Sequence, residues 1–247
     1  MDLRKRVALV AGANFYVGPD LARLLADRRH DLVLGDPAPE LVEELTANGA
    51  EVEVVTGTRD LADPASAQKL VDAAMARFGR IDAAVAFTGM IVTGRFMNAK
   101  VEDFDAVIRG CMVAPFHFMQ GVIRPMIEHG DGQVLVITSA SAARATPGAP
   151  LYSAARAGAT HLVRNVAAEV ARNGVQVNAV GTNFMDFPEF RRASGADDPE
   201  VRAKLEAMVP LGRLGTMQEF ASFCAPYLDG SSRFTTGQFV SYAGGWA

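Results

Sequence analysis

Short apolar runs alternate with longer stretches in which apolar positions recur every three or four residues, along the whole chain. Arg6-Val-Ala-Leu-Val reads as a buried strand, and 18–29 as a helix with Leu21, Leu24 and Leu25 on one face. Asp31-Leu-Val-Leu-Gly predicts a second strand and 39–48 a helix; Glu51-Val-Glu-Val-Val predicts a third strand. A helix over 64–78 opens on Pro64, where a missing N–H costs nothing. Asp82-Ala-Ala-Val-Ala-Phe is a fourth strand. A long helix over 101–129 follows, expected to bend or break near Pro115 and Pro125.

The second half repeats the pattern. Gln133-Val-Leu-Val-Ile-Thr predicts a fifth strand, 151–173 a helix and Val175-Gln-Val-Asn-Ala-Val a sixth strand. An irregular segment with short helices over 181–207, a helix over 216–228 and a strand around Gln238-Phe-Val close the chain. Strands alternating with helices imply parallel pairing through right-handed crossovers. The prediction is one α/β domain over residues 1–247: a doubly wound, Rossmann-like parallel sheet of seven strands, with helices on both faces. Its site belongs at the carboxyl ends of the strands, near the switch point.

Composition narrows the classes. With 24 cations against 28 anions the net charge is −4, which argues against a nucleic-acid partner. No uncharged run approaches the roughly 18–20 residues of a bilayer span, and Met1-Asp-Leu-Arg-Lys-Arg leads straight into a strand rather than resembling a signal peptide. The expectation is a cytoplasmic protein with no membrane partner. Cys111 and Cys224 lie far apart with no CxxC, and His30, His117, His129 and His161 lack metal-ligand spacing, so neither disulfide nor metal is expected. Those histidines read as surface or helix residues and Arg191-Arg192 as a solvated face.

Candidate chemistry begins after the first strand, in Ala11-Gly-Ala-Asn-Phe-Tyr-Val-Gly18. Gly12 and Gly18 suit a nucleotide-binding turn, but Tyr16 stands where bare backbone should meet a pyrophosphate. Either its ring points away and a dinucleotide binds, or it fills that volume. Asp36 suits either an adenosine ribose or the turn before Pro37, and Asp60 has the same two readings. The fifth strand runs to Thr138-Ser139. Tyr152 follows on the next helix with Arg156 four residues on, which puts guanidinium and phenol on one face. A cation about 4 Å from a phenol is worth up to ~4 kcal/mol at an effective dielectric of ~20, enough in principle to lower a tyrosine pKa by up to ~3. Such a tyrosine suits a general base. Taken singly, each of the three has an ordinary structural reading; together they point to a catalytic site.

The glycine-rich start, Ser139, Tyr152 and Asn178-Ala-Val resemble the short-chain dehydrogenase/reductase superfamily over nearly the whole chain. Where its oxidoreductases carry Tyr-x-x-x-Lys, this chain has Tyr152-Ser-Ala-Ala-Arg156; Cys111 stands in place of the central-helix asparagine, and Ala86-Phe-Thr-Gly89 in place of Asn-Asn-Ala-Gly. The Ser, twelve residues, Tyr, three residues, Arg spacing resembles one branch, the halohydrin dehalogenases. Their second motif is matched by Tyr16 and Gly18, although Ala11 replaces its threonine. That resemblance implies a carbon–halide lyase without cofactor or metal. Ser139 and Tyr152 would hold a vicinal haloalcohol, and Tyr152, poised by Arg156, would deprotonate it to give an epoxide and a halide. Azide, cyanide or nitrite would open the epoxide in reverse. It also assigns Tyr16, Asn183, Phe184 and Met185 to the halide pocket, lets Trp246 reach a neighbouring subunit's site, and implies a homotetramer through the two long helices. Two other readings stay open: an NAD(P)-dependent short-chain oxidoreductase with Arg156 replacing the lysine, and a non-enzymatic module that has lost nucleotide binding.

Overall fold

A strand apolar on both faces must be covered on both, and the central strands here are. β5 (Gly132–Ser139) is buried at all eight residues. The computed structural model describes residues 5–247; Met1–Arg4, read above as leading into the first strand, lie outside the described residues. In chain order the strands are β1 (Arg6–Ala11), β2 (His30–Gly35), β3 (Val52–Val55), β4 (Ala83–Phe87), β5, β6 (Val175–Thr182) and β7 (Phe239–Tyr242). They form one seven-stranded sheet in the order β3-β2-β1-β4-β5-β6-β7. Every pairing is parallel. The predicted seven-stranded, doubly wound α/β architecture is therefore what the chain forms. The order reverses between β1 and β4, so the carboxyl-edge crevice opens there.

The helices are α1 (Gly18–Asp27), α2 (Pro39–Ala47), α3 (Pro64–Phe78), α4 (Val101–Ile108), α5 (Ala114–His129), α6 (Pro150–Val170), α7 (Pro188–Ser194), α8 (Pro199–Ala207) and α9 (Met217–Cys224). One core lies under α3, α5 and α6, around Leu9, Leu70, Phe118 and Val177. A second lies under α1, α2 and α9, around Leu21, Leu34 and Phe220. The long helical run departs from expectation. It is broken by a π turn at Arg109–Val113, ahead of Pro115, while Pro125 sits inside an unbroken α5. Pro115 occupies the first turn of α5, where it needs no partner for an N–H. Taken whole, 101–129 is long and apolar enough to cross a membrane by composition, contrary to the sequence reading. Its buried side chains, Phe118 and Val122 among them, instead join the core that α3 and the sheet share, as in the core helix of a globular protein.

His30 is also unlike its expectation: it is buried at the start of β2, with Nδ1 3.0 Å from the Leu25 carbonyl oxygen. Arg192 is exposed, as the solvated-face reading has it, and pairs at the surface with Glu189, while half-buried Arg191 pairs with Asp186. Phe118 is fully buried between α5 and the sheet. Phe118→Ala is expected to cost about 3–5 kcal/mol in urea unfolding, since a large core side chain leaves a cavity its neighbours cannot fill.

Candidate active site

Ser139 is the last residue of β5, opposite Thr182 in the register with β6. Gly181 makes that approach possible, because a Cβ there would lie 2.5 Å from the Ser139 carbonyl carbon. The Ser139 hydroxyl donates to the Thr182 carbonyl oxygen at 3.4 Å. It accepts from the Ser141 N–H at 3.2 Å and the Ser141 hydroxyl at 3.0 Å. Tyr152 and Arg156 lie one turn apart on α6, which opens with Pro150 in its first turn. The guanidinium lies over the phenol ring, its Cζ 5.0 Å from the ring centroid. Ser139, Tyr152 and Arg156 all line one cavity of about 400 Å³ at the carboxyl edge of the sheet.

Arg156 is only 5 % exposed, yet its Nε and Nη1 are buried without a hydrogen-bond partner. A buried cation without a counter-charge is costly, so its electrostatic influence is directed at the phenol and at whatever enters the cavity. Gly89 makes room for it: a Cβ at that position would sit 1.9 Å from Nη2. The Oγ1 of Thr88, on the same loop after β4, is likewise buried without a partner and lines the cavity. Cys111 lies in the π turn, with Sγ 3.6 Å from the Met90 carbonyl oxygen.

The crevice between β1 and β4 is where a doubly wound sheet takes a dinucleotide, and here it is closed. Tyr16 adopts φ 55°, the left-handed region that glycine enters freely. From there its hydroxyl donates to Thr182 Oγ1 at 2.7 Å, so the side chain crosses from the β1 edge of the crevice to β6. Its ring packs against Phe187 at 4.8 Å, Phe220 at 5.9 Å and Phe87 at 6.3 Å between centroids. Desolvation pushes its phenol above the ordinary tyrosine range, so it stays neutral and remains a donor. Three of the loop N–H groups are used by the protein itself: Ala13 donates to Gly35, Phe15 to Gly12 and Gly18 to Phe15. Asp36 is used as well, accepting from the N–H of Gly57, the N–H of Thr58 and the Thr58 hydroxyl. Desolvation raises its carboxyl, but the bonds from Thr58 and Gly57 outweigh that and hold it below the ordinary aspartate range. Asp60 accepts from Arg109 and from the Ala62 N–H. The residues present therefore do not fit a nicotinamide dinucleotide with Tyr16 in this position.

The segment after β6 is brought to the same cavity, which Asn183, Phe184 and Met185 line. The Phe184 N–H is already taken by Asn183 Oδ1 at 3.0 Å, and Met185 packs against Gly215. Trp246 lines the cavity of its own chain, beside Phe184. Phe15, Phe187, Phe190 and Thr182 also line it. Of these, Phe187 and Phe190 fall in the segment read as irregular, while Phe15 and Thr182 carried no signal in the sequence because their roles depend on where Tyr16 points.

Replacing Tyr16 with glycine reopens the crevice and relieves the left-handed strain. Tyr16→Gly is expected to bind NADH or NADPH at least tenfold more tightly than the parent protein, followed by energy transfer from Trp246, the only tryptophan. Equal affinities would show that Tyr16 does not obstruct the nucleotide.

Comparisons with known proteins agree on class. Residues 14–247 match the family model described as Enoyl-(Acyl carrier protein) reductase. The 3-oxoacyl-[acyl-carrier-protein] reductase FabG of Escherichia coli (strain K12) is 30% identical over 250 residues, covering 99% of this chain and 98% of the relative. The oxidoreductase UcpA of Salmonella typhimurium is 30% identical over 243 residues, covering 95% and 92%. Among solved structures, levodione reductase is 28% identical with a TM-score of 0.86, covering 97% of this chain and 96% of that one. These relatives are reductases and oxidoreductases, which corrects the assignment as a halohydrin dehalogenase, a carbon–halide lyase. With it go the haloalcohol, epoxide, halide and small-anion partners. The physical reason is that a Ser–Tyr pair with a neighbouring cation handles a substrate oxygen in any of these chemistries, so its spacing does not specify a leaving group. The match over residues 14–247 and the full-length relatives establish that the chain belongs to the short-chain dehydrogenase/reductase superfamily.

Proposed function

We propose that this chain is an oxidoreductase acting on the oxygen of a small, largely apolar alcohol or ketone, with Arg156 where the superfamily resemblance expects a lysine. The observation that carries this reading is the convergence of Ser139, Tyr152 and the buried, unpartnered Arg156 on one cavity. The names of the relatives support the oxidoreductase class over the alternatives.

In this reading the substrate oxygen sits between the Ser139 and Tyr152 hydroxyls, with the Ser139 proton turned from the Thr182 carbonyl oxygen to the substrate. Ser141 holds the Ser139 oxygen in place through two hydrogen bonds. Tyr152 takes the proton from an alcohol or returns it to a developing alkoxide. Arg156, always charged and stacked on the phenol, steadies negative charge as it moves between the two oxygens. Arginine does not release a proton, so proton exchange with solvent runs through the hydroxyl groups rather than through Arg156. A nicotinamide dinucleotide, if bound, would supply the two-electron half, taking hydride from the alcohol carbon or giving it to the carbonyl carbon, and it would fit only with Tyr16 away from its place at Thr182. Homotetramer formation through α5 and α6 belongs to the same proposal, and α5 does present exposed Phe116 and Ile127.

The test is conversion of small alcohol–ketone pairs with NADH or NADPH, in the parent protein and in Tyr16→Gly. Tyr152→Phe is expected to lower turnover by about 10²-fold or more, the usual worth of a positioned acid–base group. Turnover at the parent rate in Tyr152→Phe, or none in either background, would overturn the reading. Gly89→Ala is expected to lower turnover at least tenfold while the circular dichroism stays unchanged, because the new methyl displaces the guanidinium.

A further inference from the structure

The cavity has two unlike ends. Ser139, Tyr152 and Arg156 mark one, and a continuous chain of aromatic rings runs along the wall from Tyr16, whose hydroxyl meets Thr182 beside Ser139, to Trp246. Along that chain Tyr16 meets Phe187 edge-on at 4.8 Å, and Phe187 stacks on Phe190 at 6.2 Å. Phe190 meets Phe184 edge-on at 6.5 Å, and Phe184 meets Trp246 edge-on at 5.7 Å. All five rings border the cavity. Edge-to-face and offset contacts are the arrangements aromatic quadrupoles favour, and a wall built this way presents both ring edges and ring faces to a guest.

The far ring of the series is held rather than left to swing. Gly244 and Gly245, at φ 59° and 88°, turn the chain after β7 back toward the cavity. The Trp246 N–H donates to the Ala243 carbonyl oxygen at 3.0 Å. Arg144 then clasps Trp246 twice: Nη1 donates to its carbonyl oxygen at 2.6 Å, and Cζ lies 4.6 Å from the centre of the indole. Phe184 is fixed in its turn, at φ 54° with its N–H on Asn183 Oδ1. Rings fixed before binding lose little freedom when a guest arrives.

We infer that the substrate class is an aryl-substituted alcohol or ketone, its oxygen at Ser139 and Tyr152 and its ring against the wall that ends at Trp246. Trp246 is then a specificity-determining residue and Arg144 the residue that positions it. This rests on the proposed function for the polar end, while the aromatic end stands on its own contacts. A cavity of about 400 Å³ admits a phenyl or substituted phenyl group beside the polar end.

The experiment compares benzyl alcohol with cyclohexylmethanol, two alcohols of similar shape, by competition in ligand-observed NMR. In the parent protein benzyl alcohol is expected to bind at least fivefold more tightly, although the saturated ring is the more hydrophobic. Trp246→Ala and Arg144→Ala are expected to reduce that preference to within twofold, and Trp246→Phe to retain it, which separates a lost ring from a misfolded chain. Equal or reversed preference in the parent, no detectable binding of either alcohol, or a preference untouched in Trp246→Ala would each overturn the inference. Ser139→Ala is expected to weaken both alcohols by the same factor. If it weakens neither while the Trp246 effect persists, the oxygen-binding reading fails and the aryl wall stands.

Discussion

A parallel sheet leaves no face for water, and most of this protein follows from that requirement. Each crossover has to carry the chain back over a hydrophobic surface, so α3, α5 and α6 cover one side while α1, α2 and α9 cover the other. The arrangement leaves only the strand ends free to vary. Ser139 at the end of β5, Thr182 at the end of β6 and the turns after β1 and β4 all emerge at one edge because every strand runs the same way. Chemistry collects there for a geometric reason, whatever the reaction.

Within that edge, Tyr16 decides what the crevice holds. Its hydroxyl bond to Thr182 spans the gap that a doubly wound fold opens at its switch point. The ring then seeds the aromatic wall by packing on Phe187 and Phe220. A non-glycine residue in the left-handed region costs about 1–2 kcal/mol, and aromatic packing of this extent is of comparable size or larger. Strain, closure and the shape of the cavity are thus one feature. The same residue separates this chain from the plain nucleotide-binding expectation for its fold, even though its relatives are named as reductases.

Buried charge is treated unevenly across the molecule. Asp82 is fully buried but pairs with Arg80 at 2.5 Å and accepts from the Val7 N–H at 2.8 Å. Arg156 has no such pairing among the described residues and keeps two nitrogens without partners. The first arrangement pins strands together at the end of the sheet away from the cavity. The second leaves electrostatic influence unspent beside a phenol, which is how a site rather than a scaffold handles a charge.

Periodicity was enough to read the strands, their order along the chain and the parallel architecture, because burial on both faces imprints a two-sided apolar pattern. Spacing was enough to bring Tyr152 and Arg156 onto one face and Ser139 to the strand end, since a helix repeat and a strand terminus are local facts. The leaving group was not legible: the Ser–Tyr–Arg spacing describes how an oxygen is handled and nothing about what departs from carbon. Nor could the break in the long helix be placed, because the π turn at Arg109–Val113 answers to packing, with Gly110 pressed against Gly89 and Met90, rather than to the prolines nearby. The direction of Tyr16 and the inward turn of Trp246 were decided only by the tertiary structure. Both depend on partners 166 and 102 residues away, Thr182 and Arg144, which no local pattern brings together.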